Sequence, residues 1–240
     1  AGGKSGFLGA LAAGFIAGYV ILLLKKVCDK LPESLEKLAP VLFYPVFGIL
    51  IMGVGMNFVV EPVMGAINTA LNSGLASMNG TSKILLGFIL GAMMSVDMGG
   101  PFNKAAYVFG TASIVAGNYD IMAAVMIGGM VPPCAIALAT IIFKDKFTKE
   151  ERQSGPVNFI MGLAFITYAA SDPLHVLPTC IIGAGISGAL SELFNCTLMA
   201  PHGGIFVFPV VGNALMYLVA LAIGTAVSTV LLGLFKKKAA

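Results

Sequence analysis

The chain has 240 residues, of which 58% are hydrophobic and 10% charged, with a mean hydropathy of +0.95 and a net charge of +3. Soluble domains carry about 25% charged residues, so this composition excludes a water-soluble catalytic domain and points to an all-α polytopic integral membrane protein. Cys28, Cys134, Cys180 and Cys196 stand far apart, with no paired spacing and no histidine at ligand distance. Neither a zinc site nor a disulfide framework is implied, and no metal or cofactor is expected.

In chain order, residues 6–24 are almost wholly apolar and carry Gly14-x-x-x-Gly18, a spacing that lets membrane helices approach closely. They form the first predicted span. Lys25, Lys26, Lys30 and Lys37 follow it, Lys144, Lys146, Lys149 and Arg152 form a second basic segment, and Lys236, Lys237 and Lys238 a third. The positive-inside rule puts all three, the C-terminus included, on the cytoplasmic side. Because membrane topology accounts for these charges, no nucleic-acid partner is expected. The span 41–60 leaves the cytoplasm, and Glu61-Pro62 opens an external segment in which residues 66–76 read as an interfacial amphipathic helix.

Residues 83–96 and 105–117 are apolar, but each is short for a crossing, which needs about 20 helical residues. Between them Gly99-Gly100-Pro101 suits a turn that ends one helix and opens the next. The span 121–143 must return to Lys144, so 83–117 starts and ends outside and forms a hairpin, re-entrant or fully spanning, whose tip points inward. Three apolar pieces follow, 157–170, 174–190 and 196–209. Asp172-Pro173, Pro178 and Pro201 interrupt them too often for three helices, which predicts one crossing plus re-entrant pieces. The span 210–235 then ends inside. With no repeat at a fixed period of 20–50 residues, residues 1–240 read as a single membrane domain.

Polar groups in such surroundings mark candidate sites. The hairpin turn holds Asp97, Asn103 and Lys104 beside Gly99 and Gly100. A plainer alternative is an Asp97–Lys104 ion pair that ties two helices together. His202, next to Gly203-Gly204 and between Pro201 and Pro209, is the second candidate, able to donate, to accept and to carry a proton near neutral pH. His175 is the weaker histidine, suited to an interface. Thr167 and Asp172 are the polar remnants of a third island. Gly183-Ala-Gly185-Ile-Ser-Gly188 matches a dinucleotide-binding string, but no acidic residue about 20 positions on and no βαβ pattern accompany it. It reads as close helix packing.

The strings Gly91-Ala-Met-Met-Ser-Val-Asp-Met-Gly-Gly-Pro-Phe-Asn-Lys-Ala-Ala106, Met130-Val-Pro-Pro133, Phe147-Thr-Lys-Glu-Glu-Arg152 and Ala200-Pro-His-Gly-Gly-Ile-Phe206 resemble the membrane (IIC) subunit of the fructose-specific bacterial phosphotransferase system, of the fructose and mannitol type. The likeness runs along nearly the whole chain. It implies a multi-pass homodimer in the lipid of the cytoplasmic (inner) membrane, with two re-entrant hairpins that enclose the sugar. Such a permease carries fructose or a related hexose inward and holds it while a phosphocysteine on the IIB partner, or a fused IIB domain, gives up its phosphoryl group to form fructose 1-phosphate. As part of that complex the chain would be a protein-phosphocysteine–fructose phosphotransferase, inactive by itself. The sugar-binding positions implied are Asp97, Gly99, Gly100, Asn103, Lys104, Thr167, His202 and Gly203, with His202 also a candidate for catalysis. Two departures stand out. Family members begin with further spans before the segment matching Ser5-Gly-Phe-Leu-Gly9, which makes this chain the C-terminal larger part of a subunit. Where the family reads Thr-Glu-Gly-Ala-Ile-Pro-Phe-Ala-Ala, this chain goes from Thr167 straight to Tyr168-Ala-Ala, so the glutamate that would activate the sugar hydroxyl is missing. An alternative follows, a passive sugar-binding membrane protein without phosphotransfer.

Overall fold

Apolar runs of this length can satisfy their backbone hydrogen bonds within a bilayer only as helices or closed barrels, and here they form helices. The computed structural model describes residues 4–77, 80–166 and 173–237. Among the described residues, five helical stretches are long and apolar enough to cross a membrane: Gly9–Cys28, Ala39–Ile67, Asp120–Ile142, Leu174–Leu193 and Ala214–Phe235. The chain is a multi-pass membrane protein. It divides into two compact units, Ala1–Ser77 and Met78–Ala240.

In the first unit, α1 (Gly6–Cys28) and the short α2 (Glu33–Glu36) lead into a long helical run. That run contains a π-helical turn at Ala39–Phe43, α3 (Tyr44–Gly55), a second π turn at Met56–Val60 and α4 (Glu61–Ser77). The run lies antiparallel to α1: Gly48 faces Ile21, and the Glu61 carboxylate accepts from the backbone N–H of Lys4 and Ser5 and from Ser5 Oγ at the start of α1. An anion there answers the unpaired N–H groups and the dipole of the helix end. The expected break at Glu61-Pro62, with a separate interfacial helix over 66–76, is not found. The helix continues through it, although a proline in mid-helix removes one N–H and crowds the carbonyl four residues back. The π turns around Val41 and Phe58, four residues before Pro45 and Pro62, absorb that defect. Only 6% and 11% of these two spans are buried.

The second unit is built on α5 (Gly80–Val96), α6 (Pro101–Val115), α7 (Tyr119–Ile142), α8 (Lys149–Leu163), α9 (Pro173–Leu193) and α10 (Ala214–Phe235). At its centre is α7, with 83% of its span buried. Contacts set the directions. Gly128 meets Gly91, and the Lys83 ammonium meets the Asp120 carboxylate at 2.5 Å, so α5 and α7 run parallel. Gly188 lies against Gly87 and Gly91, and Gly183 against Gly224 and Ser228, so α9 runs antiparallel to α5 and α10. Here lies the use of the 183–188 glycines: they let backbones touch. Between them Ser187 Oγ donates to the Ala220 carbonyl at 2.8 Å and Ser228 Oγ to that of Thr179 at 2.9 Å, the interhelical hydrogen bonds expected where no water competes.

One end of this unit is basic. There Phe147, Val176, Cys180, Ala135, Ile136, Ala139 and Leu232 form a core cluster, Lys236 sits over the Phe147 ring at 5.1 Å and Lys236 pairs with Glu151 at 3.6 Å. Helix α8 starts at this end from a Thr148 capping box and reaches Cys134 of α7 at Gly162. Since α9 starts near Val176, again at the basic end, α8 belongs to a re-entrant piece and α9 is the single crossing of the region. Pro178, expected to interrupt the chain, lies inside α9. From the opposite end, the segment after α9 carries β1 (Thr197–Leu198), a 3-10 helix at Ile205–Val210 and β2 (Val211–Gly212), antiparallel to β1, before α10 begins. It is the second re-entrant piece.

Candidate functional site

The turn between α5 and α6 is held by Asp97. Its Oδ2 accepts from the N–H of Phe102 at 2.6 Å and its Oδ1 from that of Asn103 at 3.0 Å, so the carboxylate sits on the unpaired donors and positive dipole end of α6. Met98 and Gly99 reverse the chain at φ 42° and 114°, a region that glycine enters without steric cost and methionine rarely does. Gly100 is needed for space instead: a methyl group on it would stand 2.7 Å from Asp97 Oδ2. Asn103 is 4% exposed and donates its Nδ2 to the Met94 carbonyl at 2.8 Å across the hairpin. Lys104 is exposed. The Asp97 carboxylate is thus engaged by backbone amides rather than by Lys104, and the simple ion-pair alternative does not describe this turn. Met98 packs on the basic-end cluster, which places the turn toward that end.

The tips of the two re-entrant pieces meet beside α7. Helix α8 ends in a Schellman arrangement, with Ile166 N–H to the Met161 carbonyl at 2.8 Å and Phe165 N–H to that of Gly162 at 3.2 Å. The residue at the left-handed position is Phe165, at φ 59°, where glycine is the usual choice and a side chain costs about 1–2 kcal/mol. Its half-buried ring lies in a slot without Cβ atoms: a methyl group on Gly129 of α7 would stand 2.6 Å from Phe165 Cε2, and one on Gly203 would stand 2.8 Å from Phe165 Cγ. The His202 imidazole meets this ring edge-on, with centroids 5.5 Å apart and planes at 62°. His202 Nδ1 lies 2.5 Å from the Gly203 carbonyl oxygen. A carbonyl can only accept, so in this contact Nδ1 is the donor, and a ring carrying that single proton presents Nε2 as an acceptor. Gly204, at φ 96°, packs against the backbone of Leu163 to Phe165. Tyr107 of α6 donates its hydroxyl to the Pro201 carbonyl at 2.8 Å, which joins the α5–α6 hairpin to the His202 loop.

The structure therefore brings His202 and Gly203 onto the Phe165 ring, while Asn103 is tied to the backbone of Met94, whose side chain borders Gly129. Asp97, Gly99, Gly100 and Lys104 lie in the adjoining turn. Thr167 and Asp172 lie outside the described residues. His175 precedes Val176, which belongs to the basic-end cluster. In α7, Pro132 and Pro133 leave the Gly128 and Gly129 carbonyls without their usual helical donors, next to the ring slot. Ser95 of α5, fully buried, has no hydrogen-bond partner for its hydroxyl among the described residues.

Sequence reasoning missed Phe165, Tyr107, Gly129 and Glu192. The first three carry no sequence signal of their own, because an aromatic or a glycine in an apolar helix is ordinary. Glu192 did carry one. It is an acid near the end of an apolar run, and it is 6% exposed, packed on Gly87, with Oε1 lacking a hydrogen-bond partner among the described residues.

Residues 2–224 match the family profile described as phosphotransferase system, EIIC. The chain is 51% identical over 239 residues to the PTS system fructose-specific EIIABC component of Bacillus subtilis, covering 98% of this chain and 38% of that protein. It is 50% identical over 239 residues to the fructose permease IIC component of Bacillus amyloliquefaciens, covering 98% and 78%. It is 40% identical over 233 residues to the PTS system fructose-specific EIIC component of Haloferax volcanii, covering 95% and 62%. No solved structure matches the chain.

Proposed function

Because this chain belongs to the phosphotransferase system EIIC family, we propose that it is the membrane-embedded sugar permease part of a fructose phosphotransferase system. It binds fructose from outside and holds it while a phosphoryl group is transferred from a phosphocysteine of an EIIB domain, fused or separate. Relatives named as EIIABC and EIIB'BC components support such a partner. The basic end, with Lys144, Lys146 and Lys236, faces the cytoplasm and receives EIIB, by the positive-inside argument. The outward-facing spans of the first unit suit lipid and a second copy, in a homodimer.

The observation that carries this reading is the meeting of two re-entrant tips, one from each end of the second unit, around His202. Irregular backbone at that depth is tolerated where protein or a water-filled cavity surrounds it. A sugar hydroxyl both donates and accepts, and its site must leave few buried groups unpaired. The Nε2 of His202 accepts from such a hydroxyl, and Gly203 makes room for the Phe165 ring that borders the imidazole. The turn holding Gly99, Gly100 and Asp97 supplies the rigid edge, with Asn103 as a further polar contact. The exposed Lys104 ammonium favours an incoming phosphoryl anion. Phosphoryl transfer needs mainly positioning and an orienting group at the attacking oxygen. With no glutamate between Thr167 and Tyr168, His202 is the group proposed for that role.

The test uses membranes that carry the full parent protein with its EIIB. Fructose-dependent dephosphorylation of EIIB with formation of fructose 1-phosphate is expected. His202→Ala is expected to weaken radiolabelled-fructose binding about threefold to tenfold, the range for one lost hydrogen bond, and to slow transfer further. Binding without any phosphoryl transfer in the wild type overturns the catalytic half of the reading. Unchanged binding in His202→Ala removes that residue from the site.

A further inference from the structure

We propose that Phe165 is a positioning residue for His202: its ring, wedged between Gly129 and Gly203, fixes the imidazole in the Nδ1–H tautomer and aims Nε2 at the ligand. The inference rests on the reading of His202 as the sugar's hydrogen-bond acceptor, which it deepens.

Three independent observations converge on it. The first is backbone: Phe165 occupies the left-handed position of a complete Schellman cap at φ 59°. A bulky residue there is an outlier, and such strain persists where the surroundings demand that side chain. The second is the slot. Gly129 on α7 and Gly203 on the opposing loop are both side-chain-free where the ring lies, and a methyl group on either would come within 2.8 Å of ring carbons. A ring held from both sides cannot swing away. The third is the imidazole contact. Edge-to-face rings 5.5 Å apart at 62° are in the favourable range for aromatic pairs, and the same orientation lays Nδ1 2.5 Å from the Gly203 carbonyl. Tilting the imidazole out of this plane would give up both interactions together. The neutral ring would then expose an N–H donor where a sugar hydroxyl needs an acceptor.

The strain at Phe165 makes the experiment tractable. Phe165→Gly puts the preferred residue at the left-handed position, so the tip keeps its backbone while the ring is lost; Phe165→Leu keeps bulk without the aromatic edge. The chain contains two histidines, so in a His175→Gln background uniform 15N-histidine labelling reports His202 alone. In detergent at a pH where the imidazole is neutral, wild-type His202 is expected to show a protonated Nδ1 and an unprotonated Nε2. Both Phe165 variants are expected to shift the tautomer ratio about threefold to tenfold toward Nε2–H, the scale of one aromatic pair, and to weaken fructose binding by a similar factor. An Nε2–H tautomer in the wild type, or a ratio unmoved in both variants, overturns the proposal. If the tautomer behaves as expected while the wild type neither binds nor phosphorylates fructose, the positioning stands and the sugar reading falls.

Discussion

Glu192 is a buried carboxyl whose Oε1 has no hydrogen-bond partner among the described residues, near the end of α9 that packs on Gly87. The Lys83–Asp120 ion pair lies at the same end of the unit and is complete in itself at 2.5 Å. A buried acceptor left unpaired costs about 1–3 kcal/mol, so Glu192→Met, similar in volume and apolar, is expected to raise the thermal midpoint in detergent. A lowered midpoint would mean that the carboxyl holds water or an ion and helps the fold. Phe165 illustrates the opposite case at the same scale, a strained residue whose ring occupies a slot prepared for it. Asp97 shows how one side chain shapes a site, since capping α6 occupies both its oxygens.

At the scale of elements, α5, α7 and α9 approach one another closely at glycines. The Cα of Gly91 lies 2.6 Å from where a Gly128 Cβ would be and 3.2 Å from where a Gly188 Cβ would be. Such contact replaces the missing hydrophobic drive between membrane helices with close van der Waals packing. Gly188→Leu must part α9 from α5, and overpacking of this kind costs about 1–3 kcal/mol or more. A lowered thermal midpoint in detergent and loss of fructose binding are expected together, because the α5–α6 turn and the His202 loop hang from these two helices. Retention of both would show that the helices separate without consequence. The re-entrant character of α8 is decided by its ends. It starts at the basic end beside Lys236 and ends beside Cys134 in mid-span, and its 15 residues extend only about 22 Å.

For the whole molecule the central question is sidedness. Lys236 and Glu151 pair at 3.6 Å, so the end of α10 and the start of α8 share one side whatever that side is. Single cysteines introduced as Gln153→Cys and Lys237→Cys, in a background whose four buried native cysteines are replaced by serine or alanine, are expected to react with an impermeant maleimide in inside-out vesicles only. Labelling from the outside of intact cells would invert the topology and move the proposed EIIB surface with it. The two spans of the first unit are 6% and 11% buried.

The sequence by itself was enough for the membrane class, the family likeness, the helical hairpin with its Gly99 turn and the single crossing among three broken segments. Composition, charge placement and proline spacing act locally, and each leaves a mark that can be read along the chain. Pro62 and Pro178 were misread as breaks, because whether a helix survives a proline depends on a π turn or on neighbouring helices, which no local pattern records. The meeting of Phe165 with His202, the Gly129–Gly203 slot and the Tyr107 bridge to Pro201 join residues 37 to 94 positions apart. Only the folded backbone brings them together: the direction of each re-entrant tip is set by what it packs against, and a ring finds its slot only after three separate segments have closed around it.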